Sequence, residues 1–447
     1  MPGLPGCALQ GLIRAASLCA SRRRQESPQH ETTCGRRSAG AQRSPECSAE
    51  ATPLHAWSEK RCNARMLAGL LLLSGCGAIQ PLLPITLRQK PTGERAFVDS
   101  AGRERFFHGT NAIAKGPPWV PTTDVFSPDL SMVDRDFAKI QSFGMNMLRL
   151  GTMWPGVEPV RGQYNASYLE QLEKIVQMAA ARGIYTLLDM HQDGLSEMYC
   201  GEGIPEWAVS TERSEFPLPV GLPYTDYFAE PKSNGAVFPS RQECAKASSW
   251  TIYQGALATN IGYERLYTNV NGTGDAWASM WARVASHFKG QPEILGLELM
   301  NEPFAGDVFE HPEIAIPWPN PANADQSRLQ PAYDRINRAL RKIDDEVLLF
   351  FAGVTWDDAG PGFSAPPGGE EYADRSVLAY HYYEPPQENT VLDVAVQVAG
   401  ARRLKTGIFL TETCSGDDGG VNLYDAADQR LQSWACEWAI RSQLSKS

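Results

Sequence analysis

From about residue 84 onward, short apolar runs of strand length alternate with segments of helical period, and few architectures accommodate that alternation. Arg95–Asp99 and Arg105–Gly109, joined through Ser100-Ala101-Gly102, read as a hairpin that leads into a first barrel strand. Met145–Leu150, Ile184–Met190, Ile294–Met300, Val347–Ala352, Ser376–Tyr383 and Gly407–Thr411 follow, with Ser433–Ile440 as an eighth strand. Residues 166–182 give the clearest helix: Leu169, Leu172, Ile175, Val176 and Ala179 recur at helical spacing and Gly183 stops it. Ser131-Met-Val-Asp134 reads as the cap of a helix ending near Gly144. Further helices are expected at Ala276–Lys289, Pro331–Glu346, Val391–Leu404 and Tyr424–Leu431. Eight such units imply a (β/α)8 TIM barrel. A doubly wound open sheet shares the alternation, but no Gly-x-Gly-x-x-Gly follows the first strand, and polar signals recur after many strands rather than one.

Two of those signals are glutamates. Glu302, in Asn301-Glu302-Pro303, closes the run Ile294-Leu295-Gly296-Leu297-Glu298-Leu299-Met300, and Glu412 closes Gly407-Ile408-Phe409-Leu410-Thr411. Either alone reads equally as the first polar residue of a loop. As a pair on a barrel rim they fit retaining glycoside hydrolysis, which needs a protonated acid beside the leaving oxygen and an ionised carboxylate beneath the anomeric carbon. That chemistry sets the two carboxyls about 5–5.5 Å apart. Their mutual repulsion is expected to keep Glu302 protonated until Glu412 is glycosylated.

The chain has 447 residues and a net charge of −11, which argues against nucleic acid as a partner. Residues 1–65 carry ten Lys and Arg against five Asp and Glu and show no lasting apolar period, so residues 1–80 read as a disordered extension. Within it, residues 66–78 combine a basic flank, a short apolar core and small residues, as in a secretory signal, with Leu73-Ser74-Gly75-Cys76 resembling a lipoprotein signal. The internal position fits a natural start at Met66; a plain buried hydrophobic segment is the alternative reading. The expected location is secreted, extracellular or in an endomembrane lumen, with membrane association. Residues 84–447 then form the catalytic domain. The chain stops soon after strand 8, so the expected barrel is truncated there and its edge unsupported.

Of the ten cysteines, only Cys200, Cys244, Cys414 and Cys436 lie beyond residue 80. No Cys-x-x-Cys or His-x-x-x-His spacing indicates zinc, and nothing points to a metal or an organic cofactor. In an exported chain Cys200 and Cys244, which flank one long loop, are the expected disulfide; free buried thiols are the alternative. Asn165-Ala-Ser and Asn271-Gly-Thr are glycan acceptors in a eukaryotic secretory route. Roughly eighty residues separate strand 3 from the helix at Ala276, far longer than an ordinary loop, so this insertion is functional or locally structured.

Several stretches carry a family resemblance: His108-Gly-Thr-Asn111 with Lys115-Gly-Pro-Pro-Trp119; Phe143-Gly-Met-Asn146-Met-Leu-Arg149-Leu-Gly-Thr-Met-Trp154; Asp189-Met-His191-Gln-Asp193; Met198-Tyr-Cys-Gly201-Glu-Gly-Ile-Pro205-Glu-Trp207; Asn301-Glu302-Pro303; His381-Tyr-Tyr383; and Leu410-Thr-Glu412. In order and spacing, residues from about 105 to 438 resemble glycoside hydrolase family 5, and within it the endoglycoceramidase-like branch. The resemblance implies Glu302 as acid/base and Glu412 as nucleophile. It implies that Asn301 holds the sugar 2-hydroxyl, Arg149 keeps the nucleophile ionised and Tyr383 orients it. Lys115, His191, Asp193 and His381 become substrate-binding residues, and Trp438, in Ser433-Trp-Ala-Cys-Glu-Trp438, is the match to a tryptophan beneath the sugar. The branch normally continues into a C-terminal β-sandwich, which is not expected within these residues.

The implied activity is cleavage of the β-glycosidic bond between glycan and ceramide in glycosphingolipids, with a membrane-surface contact. Phe216, Tyr224, Tyr227, Phe228, Phe238 and Trp250 of the long loop offer an apolar slot or fill that loop's own small core. The alternatives are a family 5 β-glucosidase or endoglucanase acting on soluble glycans, and a truncated, non-catalytic glycolipid-binding remnant.

Overall fold

A computed structural model describes residues 81–127, 131–209, 251–317, 319–355, 360–383 and 390–413, together with the backbone of Ser433–Cys436. The expected extension 1–80, the aromatics between 216 and 250, the helix at Tyr424–Leu431 and Trp438 lie outside these residues, as do the segments after Cys436.

The strands are β1 (Ile85–Gln89), β2 (Arg95–Asp99), β3 (Phe107–Ala112), β4 (Met147–Gly151), β5 (Tyr185–Asp189), β6 (Ile294–Glu298), β7 (Leu349–Ala352), β8 (Ser376–Tyr382), β9 (Gly407–Thr413) and β10 (Ser433–Cys436). β3 to β9 lie side by side in chain order, all parallel, and β10 closes the ring. β10 pairs with β3 over four residues but meets β9 through Trp434 and Leu410 alone. A parallel β/α barrel is therefore the architecture, with the seam on the β9 side the thinnest pairing.

Strand positions follow the expected runs to within a few residues, with one error of partnership. Arg95–Asp99 does not form a hairpin with Arg105–Gly109; it pairs antiparallel with β1, Ile85 opposite Asp99. Asp99 turns the chain away, accepting from the backbone N–H of Ala101 and Arg103 and from Nε of Arg103 at 2.8 Å. Phe107 is thereby released to start the barrel.

The hairpin has a structural task. Phe97 on β2 is buried among Phe107, Phe350 and Phe409, with centroid distances of 5.6, 6.4 and 5.8 Å. Its cluster holds Met147, Tyr185, Leu295 and Val377 from or near the N-terminal ends of the barrel strands. The β1–β2 hairpin thus plugs the N-terminal opening, leaving the opposite mouth for chemistry.

The outer helices bury one face each. In Ala166–Ala180, Leu169, Leu172, Ile175, Val176 and Ala179 are fully buried, and the Asn165 side chain accepts from the Tyr168 N–H at 3.2 Å as its N-cap. Ser131 is not the cap of the preceding helix, Asp134–Ser142. Val133 holds that position, and the Asp136 carboxylate accepts from its N–H at 2.8 Å. The Ser131 hydroxyl is instead engaged by the preceding loop, accepting from the Ser127 N–H and donating to Ser127 O, each at 2.8 Å.

Part of the long insertion is structured. Leu257–Tyr267 is a helix whose buried face is Ala258, Thr259, Asn260, Gly262, Tyr263, Leu266 and Tyr267. That face is too small and polar to make an apolar stripe, so the sequence hides it. Gly262 permits its close approach: a Cβ there would lie 2.4 Å from Leu195 Cδ2. Cys200, before the undescribed stretch, is disulfide-bonded; Cys244 lies outside the described residues.

Candidate active site

Side chains from the C-terminal ends of β3, β4, β5, β6, β8 and β9 converge at one mouth. Glu412, on β9, is 5% exposed. Its Oε2 accepts from Arg149 Nη1 at 3.1 Å and from Asn111 Nδ2 at 3.4 Å, while Tyr383 OH donates to its Oε1. Three donors directed at one carboxylate favour its ionised form.

Arg149, fully buried on β4, is the hub beneath it. Nε donates to Glu298 Oε2 at 2.6 Å, Nη2 to Asn301 Oδ1 at 2.8 Å, and Nη2 lies 3.1 Å from Asp189 Oδ2. Burial disfavours the guanidinium charge, but Asp189, Glu298 and Glu412 outweigh it and push its pKa up. Burial likewise pushes the Asp189 carboxyl well above the usual range, with Arg149 opposing and Glu298 and Glu412 adding to the rise. Asp189 Oδ2 is also 2.8 Å from His191 Nδ1, which fixes that ring.

Glu302 follows β6 and is 7% exposed. Its backbone is left-handed, φ +39°, an uncommon state for a non-glycine residue. Its Oε1 lies 2.8 Å from His381 Nδ1. A carboxylate oxygen of Glu302, one of Glu412 and a ring nitrogen of His381 all lie within 4.8 Å of one another. That proximity matches the retaining spacing and leaves no room for the water an inverting site places between its carboxylates. Desolvation lowers the His381 pKa, but Glu412, the bond to Glu302 and the Glu302 charge prevail and raise it.

A polar rim completes the mouth. Lys115 is bonded to Asp193 and lies 3.3 Å from Glu202 Oε1; His191 Nε2 is 3.7 Å from Asp193 Oδ2. Paired backbone bonds between Asp193 and Glu202 hold the two carboxylates together. His191, Asp193 and Glu202 have the proximity of a cation site, with the Lys115 ammonium already on two of them. A cavity of about 70 Å³ opens beside Glu302 and His381, lined also by Val354, Thr355, Tyr380 and Tyr383.

Of the residues singled out in the sequence, Lys115, Arg149, His191, Asp193, Asn301, Glu302, His381, Tyr383 and Glu412 come together here; Trp438 lies outside the described residues. Asn111, Asp189, Gln192, Glu202, Tyr263 and Glu298 were not singled out. The first four sit inside the motif stretches, Glu298 lies in the β6 run, and Tyr263 belongs to the insertion, where no local signal marks it.

A parallel β/α barrel with a buried carboxylate pair across its C-terminal mouth is the class of protein these features define. Residues 119–442 match the family described as Cellulase (glycosyl hydrolase family 5), and the chain belongs to that family. An endoglycoceramidase of Hydra vulgaris is 44% identical over 341 residues, 75% of this chain and 64% of that protein. One of Cyanea nozakii is 43% identical over 352 residues, 77% of this chain and 67% of that one. The chain thus spans about two thirds of the length of these curated relatives. The structure of endo-glycoceramidase II from Rhodococcus sp. with ganglioside GM3 superposes with a TM-score of 0.57 at 21% identity, covering 77% of this chain and 76% of that one, a likeness of fold.

Proposed function

We propose that this chain hydrolyses the β-glycosidic bond between glycan and ceramide in glycosphingolipids, with retention. The observation that carries the reading is the approach of Glu302 and Glu412 to within 4.8 Å in a chain 44% identical to an endoglycoceramidase. Glu412 attacks the anomeric carbon while Glu302 protonates the departing ceramide oxygen. Glu302 then deprotonates water, which cleaves the glycosyl–Glu412 ester and restores both carboxyls. Arg149, Asn111 and Tyr383 hold Glu412 ionised and aimed. Asn301 Nδ2 donates to Gln192 O at 2.9 Å and makes a longer 3.4 Å contact with Asp193 Oδ1; the sugar 2-hydroxyl replaces that longer contact. Lys115, His191 and Asp193 bind the remaining hydroxyls.

Ceramide resides in lipid surfaces, so the enzyme works at a membrane surface. Among the described residues no helix is long and apolar enough to cross a membrane. The disulfide at Cys200 supports export to an oxidising compartment. The test is incubation of the purified protein with a panel of glycosphingolipids, followed by mass spectrometry. Intact ceramide and intact oligosaccharide are expected. Release of single sugars, or cleavage of soluble β-glucosides alone, would establish the other family 5 activity instead.

A further inference from the structure

Glu302 presents a problem of support. It sits in a left-handed backbone conformation disfavoured for any residue with a Cβ, and among the described residues its carboxylate bonds only to His381. Such a conformation persists where the surroundings over-determine it. Backbone bonds from Asn301 N–H to Met190 O and from Thr355 N–H to Pro303 O hold the flanking residues, and one side chain, Gln192, bonds the carbonyl of Glu302 itself.

Gln192 is fully buried between β5 and the loop after β6. Its Nε2 donates to two successive carbonyls, Asn301 O at 2.7 Å and Glu302 O at 2.8 Å. Its Oε1 accepts from Leu195 N at 2.9 Å and from Tyr263 OH at 2.7 Å. Every hydrogen of the amide is used and the oxygen faces two donors, so the group cannot turn over without four mismatched contacts. Tyr263 is held as a donor because burial pushes its pKa up. Gly203 backs the pair: a Cβ there would lie 2.2 Å from His191 O and 2.6 Å from Gln192 Cα.

We propose that Gln192, oriented by Tyr263, is the positioning residue of the acid/base: it clamps the peptide of Glu302 so that the carboxyl meets the leaving oxygen. The inference rests on the acid/base role proposed for Glu302. It also gives the helix Leu257–Tyr267 of the insertion a catalytic consequence, since that helix supplies the hydroxyl that fixes the clamp.

The test separates protonation from everything else in the site. Gln192→Met, Gln192→Glu and Tyr263→Phe are compared with the full wild-type chain on a glycosphingolipid and on the 2,4-dinitrophenyl β-glycoside of the same glycan. The ceramide alkoxide needs a proton to depart; dinitrophenolate does not. Gln192→Met and Gln192→Glu should each lose about 10²-fold in kcat/KM on the glycolipid but less than about 5-fold on the dinitrophenyl glycoside. Tyr263→Phe should lose about 10-fold on the glycolipid with the same asymmetry. Equal losses on both substrates, or none, would overturn the proposal. If a Gln192 variant does not fold by circular dichroism, Tyr263→Phe, which removes one oxygen atom, decides. A wild-type chain that cleaves the aryl glycoside but not the lipid sinks the substrate reading alone; the clamp is then judged from a series of aryl leaving groups. A Glu302→Ala control without the asymmetry would show that the acid role itself is wrong.

Discussion

Arg149 Nη1 lies 3.1 Å from Glu412 Oε2 while the same guanidinium spends Nε on Glu298, 2.6 Å away, and Nη2 on Asn301 and Asp189. One planar cation therefore ties β4, β5, β6 and β9 together beneath the mouth. Its three nitrogens meet four acceptor groups at once, which a point-charge ammonium cannot do.

Arg149→Met should cost about 3–5 kcal/mol of stability, because it leaves a group of buried carboxylates without their counter-ion. Arg149→Lys should fold but lose about 10²-fold in kcat/KM, since one ammonium cannot serve both Glu298 and Glu412. Thermal unfolding and steady-state kinetics check the two parts. A lysine variant with wild-type rate would show that charge alone suffices.

Glu412→Gln should abolish turnover, because a neutral amide forms no glycosyl intermediate. Glu302→Ala should recover turnover of an activated aryl glycoside when azide is added, with a glycosyl azide of retained configuration as product. Loss in both variants that azide does not relieve would leave neither role assigned.

His381 makes stability depend on pH. Burial pulls its pKa down, but Glu412, the Glu302 bond and the Glu302 charge raise it overall. A raised folded-state pKa adds stability that is complete below the unfolded value, roughly 6.5, and is lost as pH climbs through the raised folded value. His381→Asn should therefore be most destabilised relative to wild type below about pH 6.5, and the gap should narrow as pH rises. Urea unfolding between about pH 5 and about pH 9 measures it. A gap that widens with pH would refute the sign.

Phe97→Ala should destabilise the fold by about 3–5 kcal/mol, since it empties an aromatic site packed on three phenylalanines at the closed end. With the chemistry at the opposite mouth, kcat should stay within about 2-fold of wild type while any protein remains folded. A proportionate fall in kcat at a temperature well below unfolding would contradict the plug assignment.

Much of this molecule is written locally in its chain. A strand ending in Glu302 or Glu412, a helix with Leu169, Leu172, Ile175 and Val176 on one face, and a Gly183 stop all follow from neighbours a few residues apart, so period and punctuation were enough to read them. Where the decisive partner is distant, local patterning is silent. β2 reads as half of a hairpin either way, and only the packing of Phe97 under the barrel sets β1, not Arg105–Gly109, as its partner. The Leu257–Tyr267 helix buries threonine, asparagine and glycine, so no apolar stripe announces it; its fit against Leu195 and Gln192 is a property of two surfaces meeting. Chemistry divides the same way. By itself the sequence determined that two carboxylates stand at strand ends, because residue type and strand boundary are both local. Only the tertiary structure decided that Arg149 faces three carboxylates and that Gln192 grips the peptide of Glu302, because closing the barrel is what brings residues 149, 192, 302 and 412 within hydrogen-bonding reach of one another's neighbours.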